Sequence, residues 1–403
     1  MSGRVSERVR ERGRLSLLVL HVALLGALLS ACTTPSDGTP TTRPPTADDA
    51  IVGAPALHEL PLGEWALVPL SGATRCADGS DYALQVRRGA GAELLVFFQG
   101  GGATWGELDA ASGLLRPLLG ELYQERVKPL APRGLAAPPP GEPVSEATQV
   151  VVSYCSGDVH WGDADGVDAL GEAIEQRGAH NARGALAWLA AQQLSPSRLS
   201  VVGCSAGAYG ALLWALGLAE LYPGAPRSLL LDAGLGLVKS PFLEGQHGLA
   251  AWNPRGAYAD NGLESLLETL DVDYYERLLA AVAERFGGPV GVASTDRDPV
   301  QAAFWYLTGD DPTLAGFGLA EVSVWSRAAL ARLELLAELP EVSTFVSAWV
   351  PSDAPVSAPA LATGHCLLSD PDLWGSPVGD AFGVWWSELR AGSLPIAVDL
   401  RSR

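Results

Sequence analysis

The chain has 403 residues, 48% of them hydrophobic, and a formal net charge of −19. That length suits one large domain with a sizeable core. Its acidity repels phosphate backbones and offers no basic patch, which excludes nucleic acid as a partner.

The N-terminus reads as a processing segment. Arg4, Arg8, Arg10, Arg12 and Arg14 make a basic head, and the apolar run over residues 15–29 is short for a permanent membrane span. The run closes on Leu29-Ser30-Ala31-Cys32 and gives way to a polar, Thr/Pro-rich stretch. Residues 1–31 are therefore expected to be an export signal, residues 32–50 a flexible tether, and residues 51–403 a single folded domain. Leu-Ser-Ala-Cys resembles the lipobox of bacterial lipoproteins, which implies lipidation of Cys32 and anchoring to the cell envelope. Thr33, rather than Asp, after that cysteine points to the outer membrane in a cell that has one. An ordinary signal peptide or an uncleaved anchor stays open. Losing residues 1–31 removes five Arg and two Glu and takes the net charge from −19 to −22.

Beyond the tether, apolar runs alternate with helical patterns. Residues 93–98 (ELLVFF) predict a buried strand that ends on Gly100-Gly101-Gly102, and residues 148–155 predict the next. A helix is expected over 181–194, a strand over 198–205, a small-residue helix directly after it, and a strand over 228–234. Residues 239–270 lack a buried-strand pattern and predict a cap or binding loop. A helix over 274–286, two last strands over 288–295 and 343–350, and a closing helix over 380–392 complete the chain. The expected class is α/β, a mostly parallel sheet flanked by helices with a loop-rich cap.

Residues 201–210 read VVGCSAGAYG, with Ser205 at the centre of Gly-x-Ser-x-Gly. In a chain with 46 glycines the motif alone has little weight; its setting gives it more. A buried strand runs into Ser205 and a helix leaves it, as in a nucleophile elbow, so the Ala206 N–H is placed to meet an oxyanion. A serine nucleophile needs a base, and the base an orienting carboxylate; on α/β-hydrolase scaffolds the order is Ser, acid, His. Only His247 and His365 follow Ser205. His247 would force Asp232 into the acid role, whereas His365 follows the last predicted strand, so His365 is the expected base. Asp296 and Asp298 both suit the acid by spacing, and Asp298 before Pro299 also suits the N-cap of a helix. Gly101 and Gly102 are the expected further oxyanion donors.

These segments together resemble the pectin acetylesterase and Notum carboxylesterase family of α/β-hydrolases. The similarity runs in order through RCADGSDYAL (75–84), LLVFFQGGGATW, VVSYCSGDVHWGD, GCSAGAYG, LLDAG and TGHCLL. It implies serine esterase chemistry with no cofactor and no metal, and it favours Asp298 over Asp296 as the acid. It departs from the family at Ala208, where a glycine is usual, and residues 239–270 align with nothing in it.

Cys32 aside, four cysteines remain, an even number that favours two disulfides in an exported chain. The family resemblance implies Cys76–Cys155. Cys204 and Cys366 are then left, each beside a proposed catalytic residue, and the Cys-Ser, Asp, His-Cys order also resembles tannases and feruloyl esterases. A bridge between them is expected, with a free, buried Cys204 as the alternative. Trp105, Tyr154, Asp158, His160 and Trp161 are candidates to line the pocket; His160 and Trp161 either stack on a sugar or pack.

The expected substrate is a short acyl ester, acetyl above all, on a neutral or partly esterified polysaccharide, acted on by a monomer. Removal of a longer acyl group from a lipid or protein would require a deep apolar pocket. A surface lipoprotein that only binds is the reading from outside enzymology.

Overall fold

A computed structural model of the chain describes residues 47–105, 145–167, 173–245, 248–309, 316–350, 363–370 and 372–401. The expected signal, Cys32, most of the expected tether and His247 lie outside these residues. Ala47–Ile51 already forms a turn of 3-10 helix with Ala50 buried, so the folded body begins ahead of residue 51.

The strands in chain order are β1 (Trp65–Leu70), β2 (Tyr82–Arg87), β3 (Glu93–Phe98), β4 (Thr148–Val152), β5 (Ala164–Val167), β6 (Ala173–Gln176), β7 (Arg198–Cys204), β8 (Arg227–Asp232), β9 (Val290–Thr295), β10 (Val342–Ser347) and β11 (Val398–Leu400). Nine form one sheet in the order β1-β2-β4-β3-β7-β8-β9-β10-β11, while β5 and β6 pair as a separate antiparallel hairpin. Only β2 runs against the others in the large sheet.

The principal helices are α1 (Gly178–Ala191), α2 (Ala206–Leu221), α3 (Ser240–Glu244), α4 (Arg255–Asp260), α5 (Tyr274–Phe286), α6 (Pro299–Leu307), α7 (Leu319–Leu336) and α8 (Pro377–Arg390). Side chains of a strand alternate between its two faces, and the central strands are apolar on both because helices cover both. Leu94, Val96 and Phe98 of β3, with Val201 of β7 and Leu229 and Leu231 of β8, face the larger core, which α1, α2, α5 and α7 fill. Leu95, Val202 and Leu230 face the other way and pack with Phe345 of β10 against Phe382, Trp385 and Trp386 of α8. Helix α2 is apolar around its whole circumference, as a helix buried on all sides must be. In α5 the buried set Tyr275, Leu278, Leu279, Val282 and Phe286 marks one face at helical spacing, and Gly287 ends the helix in the left-handed conformation.

The sequence pattern did not disclose β1, β2, β11 or the β5–β6 hairpin. Strand β1 is an edge carrying Pro69, which a sheet tolerates only at such positions. Strand β11 has three residues, too few for any periodicity, and it follows the helix read as closing the chain. The cap region holds short helical turns, α3, α4 and the 3-10 turns Leu249–Trp252 and Glu264–Glu268, and no strand among its described residues.

Candidate active site

The sheet places Ser205 where β7 ends. Its backbone sits at φ 55° and ψ −126°, a region that a side-chain-bearing residue rarely adopts, and α2 starts at the next residue. Two glycines make this turn possible. A Cβ on Gly203 would lie 2.0 Å from the Gly207 carbonyl oxygen, and one on Gly207 would lie 1.9 Å from that of Phe98. Ala206, as the first residue of α2, has an N–H without an intrahelical acceptor, available to an anion.

Asp298 follows β9 and performs two tasks with separate oxygens. Its Oδ1 accepts the N–H of Val300 (2.9 Å) and of Gln301 (3.0 Å), capping α6. Its Oδ2 accepts Gln301 Nε2 (2.9 Å) and His365 Nδ1 (2.7 Å). The carboxylate is 0% exposed, the imidazole 22%. Burial disfavours a charged His365, but the Asp298 charge and hydrogen bond, with a smaller push from Asp232, outweigh it and raise the imidazole above its ordinary range. Asp296 lies apart from this pairing and bonds Arg297 at 3.3 Å.

The loop carrying His365 is fastened to four successive strand ends. Cys366 is bridged to Cys204 at the end of β7, with Cα atoms 5.8 Å apart. The Asp232 carboxylate at the end of β8 accepts the Leu368 N–H at 2.7 Å. Thr295 at the end of β9 donates its hydroxyl to the Gly364 carbonyl (2.5 Å) and accepts that of Thr363 (2.8 Å). Beyond β10, the Trp349 carbonyl accepts the Gly364 N–H at 2.8 Å. The second bridge, Cys76–Cys155, ties the β1–β2 connection to the segment after β4.

Ser205, Ala206, Gly102 and His365 line one cavity of about 110 Å³, whose remaining wall is almost wholly apolar. Trp105, Trp161, Phe242, Leu243, Trp252 and Phe304 supply much of it, and Trp325 of α7 forms part of the wall. The tyrosines in this wall turn their hydroxyls elsewhere: Tyr275 donates to the Gly234 carbonyl, Tyr274 to Tyr258, and Tyr209 accepts the Gly236 N–H. The indole N–H groups of Trp161 and Trp252 are likewise bound, to the carbonyls of Tyr209 and Thr104. Beyond Ser205 and His365, what faces the cavity is therefore mostly ring and hydrocarbon.

Trp105 and Trp161 thus belong to the pocket wall, whereas Tyr154, Asp158 and His160 lie behind it. The Tyr154 hydroxyl donates to the Gly102 carbonyl (2.8 Å) and accepts the Val159 N–H (2.9 Å), steadying the glycine run. Asp158 is fully buried and accepts Ser156 Oγ and the N–H groups of Gly178 and His160; burial raises its carboxyl above the usual range. His160 packs against Phe98 and Tyr154 and donates from Nε2 to the Gln99 carbonyl at 2.9 Å. It is 1% exposed and outside the cavity wall, a core histidine and not a sugar platform, and burial pulls its pKa down to about 4. Gly101 continues the run between Gly100 and the pocket-lining Gly102. Gln301, which no motif marks, holds Asp298 and donates to Ser294 Oγ while accepting the Leu235 N–H. Its place one turn after the N-cap was the available signal.

A family model described as pectinacetylesterase matches residues 66–249, a stretch that contains Ser205 and ends before Asp298 and His365. Among solved structures, that of the Wnt deacylase Notum from Drosophila is similar with a TM-score of 0.55 and 17% identity, over 84% of this chain and 96% of that one. The likeness shows an α/β-hydrolase fold. No curated protein matches the chain.

Proposed function

We propose that this chain is a serine carboxylesterase of the pectinacetylesterase family, using Ser205, His365 and Asp298. The observation that carries the reading is that Ser205 and His365 line one pocket while Asp298 holds the far side of the imidazole at 2.7 Å. Ser205 Oγ attacks the ester carbonyl as its proton passes to His365 Nε2; Asp298 keeps the other ring nitrogen protonated and steadies the imidazolium. The oxyanion is met by the N–H of Ala206 and by those of Gly101 and Gly102. The alcohol leaves with the proton from His365, and water then releases the acid from the acyl-enzyme by the same path in reverse.

The pocket favours an acyl group larger than the acetyl put first on sequence grounds. One water needs roughly 10–15 Å³ on the same measure, so an acetyl methyl would leave most of the 110 Å³ empty. An apolar wall with its hydroxyls turned away suits a hydrocarbon chain. The family name points instead to acetyl groups on pectin, against which the acidity of the chain argues, since polygalacturonate is itself anionic. Export and lipid anchoring at Cys32 complete the reading, supported by the basic head, the apolar run and Leu29-Ser30-Ala31-Cys32.

The purified protein and Ser205→Ala, assayed on p-nitrophenyl esters from acetate to decanoate, test both parts. Loss of turnover and of fluorophosphonate labelling in Ser205→Ala is expected; equal activity in the two proteins would sink the esterase reading. A rise in kcat/KM from acetate to longer chains is expected, and a maximum at acetate would return the substrate to acetylated glycan.

A further inference from the structure

We infer that Asp232 is a positioning residue for the reaction: its backbone holds the nucleophile and its side chain holds the loop of the base. The inference rests on the serine-esterase reading above. Asp232 ends β8 and is 0% exposed. Its carbonyl accepts the Ser205 N–H at 2.8 Å, and its Oδ2 accepts the Leu368 N–H at 2.7 Å, three residues beyond His365. That N–H opens the 3-10 turn Leu367–Ser369, whose own N-cap, Cys366, makes no side-chain cap. Asp232 therefore supplies the cap from a neighbouring strand and spans the gap between the two reacting side chains with a single residue.

Two further observations separate this from plain packing. Ala233 and Cys366, on either side of the contact, sit at φ 55° and 61°, conformations that persist only where surrounding structure enforces them. The Asp232 Oδ1 is buried without a hydrogen bond. An Asn would keep the Leu368 N–H cap and bury its NH₂ where Oδ1 lies, so what Asp alone adds, once ionised, is negative charge behind the imidazole. The titratable groups that face it are His365 and Asp298; Cys204 and Cys366 are locked in their bridge. Burial pushes the Asp232 carboxyl up to about 7, held there against the Leu368 and Leu367 N–H groups and the His365 charge, with the Asp298 charge adding to the rise. Its ionisation is thus coupled to that of the imidazole, and it favours the imidazolium that forms as Ser205 attacks.

The test uses the intact protein with Asp232→Asn and Asp232→Ala, each checked for folding by thermal melting. On a p-nitrophenyl ester, Asp232→Asn is expected to lower kcat about 10-fold at unchanged KM, and Asp232→Ala about 100-fold, as loss of placement does. The acid limb of kcat/KM should move to lower pH in Asp232→Asn, because His365 loses a charge that holds its proton. A kcat within about twofold of wild type and an unmoved acid limb would reduce Asp232 to a structural cap and overturn the inference. Should Asp232→Ala fail to fold, Asp232→Asn decides alone. Should both fail, the ¹⁵N shifts of the wild-type His365 ring decide: two inflections with pH support the coupling, and one overturns it. Wild-type activity in Ser205→Ala would instead refute the esterase reading, and the ring titration would still stand as a test of the coupling.

Discussion

Replacing Asp298 by Asn separates the two tasks of that carboxylate. The native side chain receives four donors, two backbone N–H groups on Oδ1 and two side-chain donors on Oδ2. Asparagine offers one acceptor oxygen and one NH₂. With the oxygen left on the first turn of α6 the cap survives, since Asn caps about as well as Asp. The NH₂ then faces Gln301 Nε2 and His365 Nδ1, so the imidazole must move its proton to Nε2 to accept there. That leaves no lone pair toward Ser205. In the serine-protease template the same exchange costs about 10⁴ in kcat, or about 5.4 kcal/mol of activation free energy.

The assay is steady-state hydrolysis of a p-nitrophenyl ester at pH 8, with calorimetric melting of each variant. Asp298→Asn should fall by about 10⁴ in kcat with a melting temperature close to wild type, whereas Asp298→Ala should also lose about 1 kcal/mol of stability with the cap. Asp296→Asn, which removes only a partly exposed pair with Arg297, should stay within about twofold. Asp298→Asn retaining more than about a tenth of wild-type kcat, or Asp296→Asn falling as far, would refute the assignment of the acid.

Opening the Cys204–Cys366 bridge, by Cys366→Ser or by reductant, releases a closure of 162 residues and should lower stability by up to about 5 kcal/mol; an unchanged urea midpoint would contradict this. Gly100→Ala would bring a Cβ to 2.4 Å from the Cys204 carbonyl oxygen and 2.9 Å from Ser205 Cβ. We expect it to cut kcat about 100-fold by displacing Ser205, a result that unaltered kinetics would exclude. Stability should fall as pH rises toward 8. Folded Asp232 keeps its proton up to about 7 while the unfolded carboxyl loses it near 4, and folded His365 holds its proton above about 6.5, where the unfolded ring does not. Both groups bind more protons in the folded state, so melting from pH 5 to 8 should show the decline and Asp232→Asn should flatten it; parallel curves would rule the linkage out.

Much of the site could be read from residue order, because its parts are tied to strand ends and strands announce themselves. Ser205 follows β7 directly and Asp298 comes three residues after β9, while chain order left His247 and His365 and the place of His365 after the last predicted strand favoured it. The twin roles of Asp298 were each legible as alternatives, but only the geometry shows that one oxygen serves each. The wall of the pocket was not legible. It gathers Phe242, Trp252, Phe304 and Trp325 from separate helical turns, and no local pattern marks which aromatic faces a cavity and which faces the core. Hidden too were the roles of Asp158, His160 and Tyr154, whose polar residue types suggested binding while their hydrogen bonds are spent on backbone and neighbouring polar groups behind the glycine run.

The fastening of the His365 loop to four strand ends divides the molecule into parts that can and cannot be altered independently. A segment pinned by a disulfide, a carboxylate and two hydroxyls is a poor hinge, so what can yield at the cavity is the apolar bank formed by Leu237, Val238, Phe242, Leu243, Leu249, Trp252 and Phe304. Those same residues line the cavity and take no part in the fastenings. Selection for a new ester can therefore work on that bank one residue at a time, leaving the distance between Ser205 and His365 undisturbed.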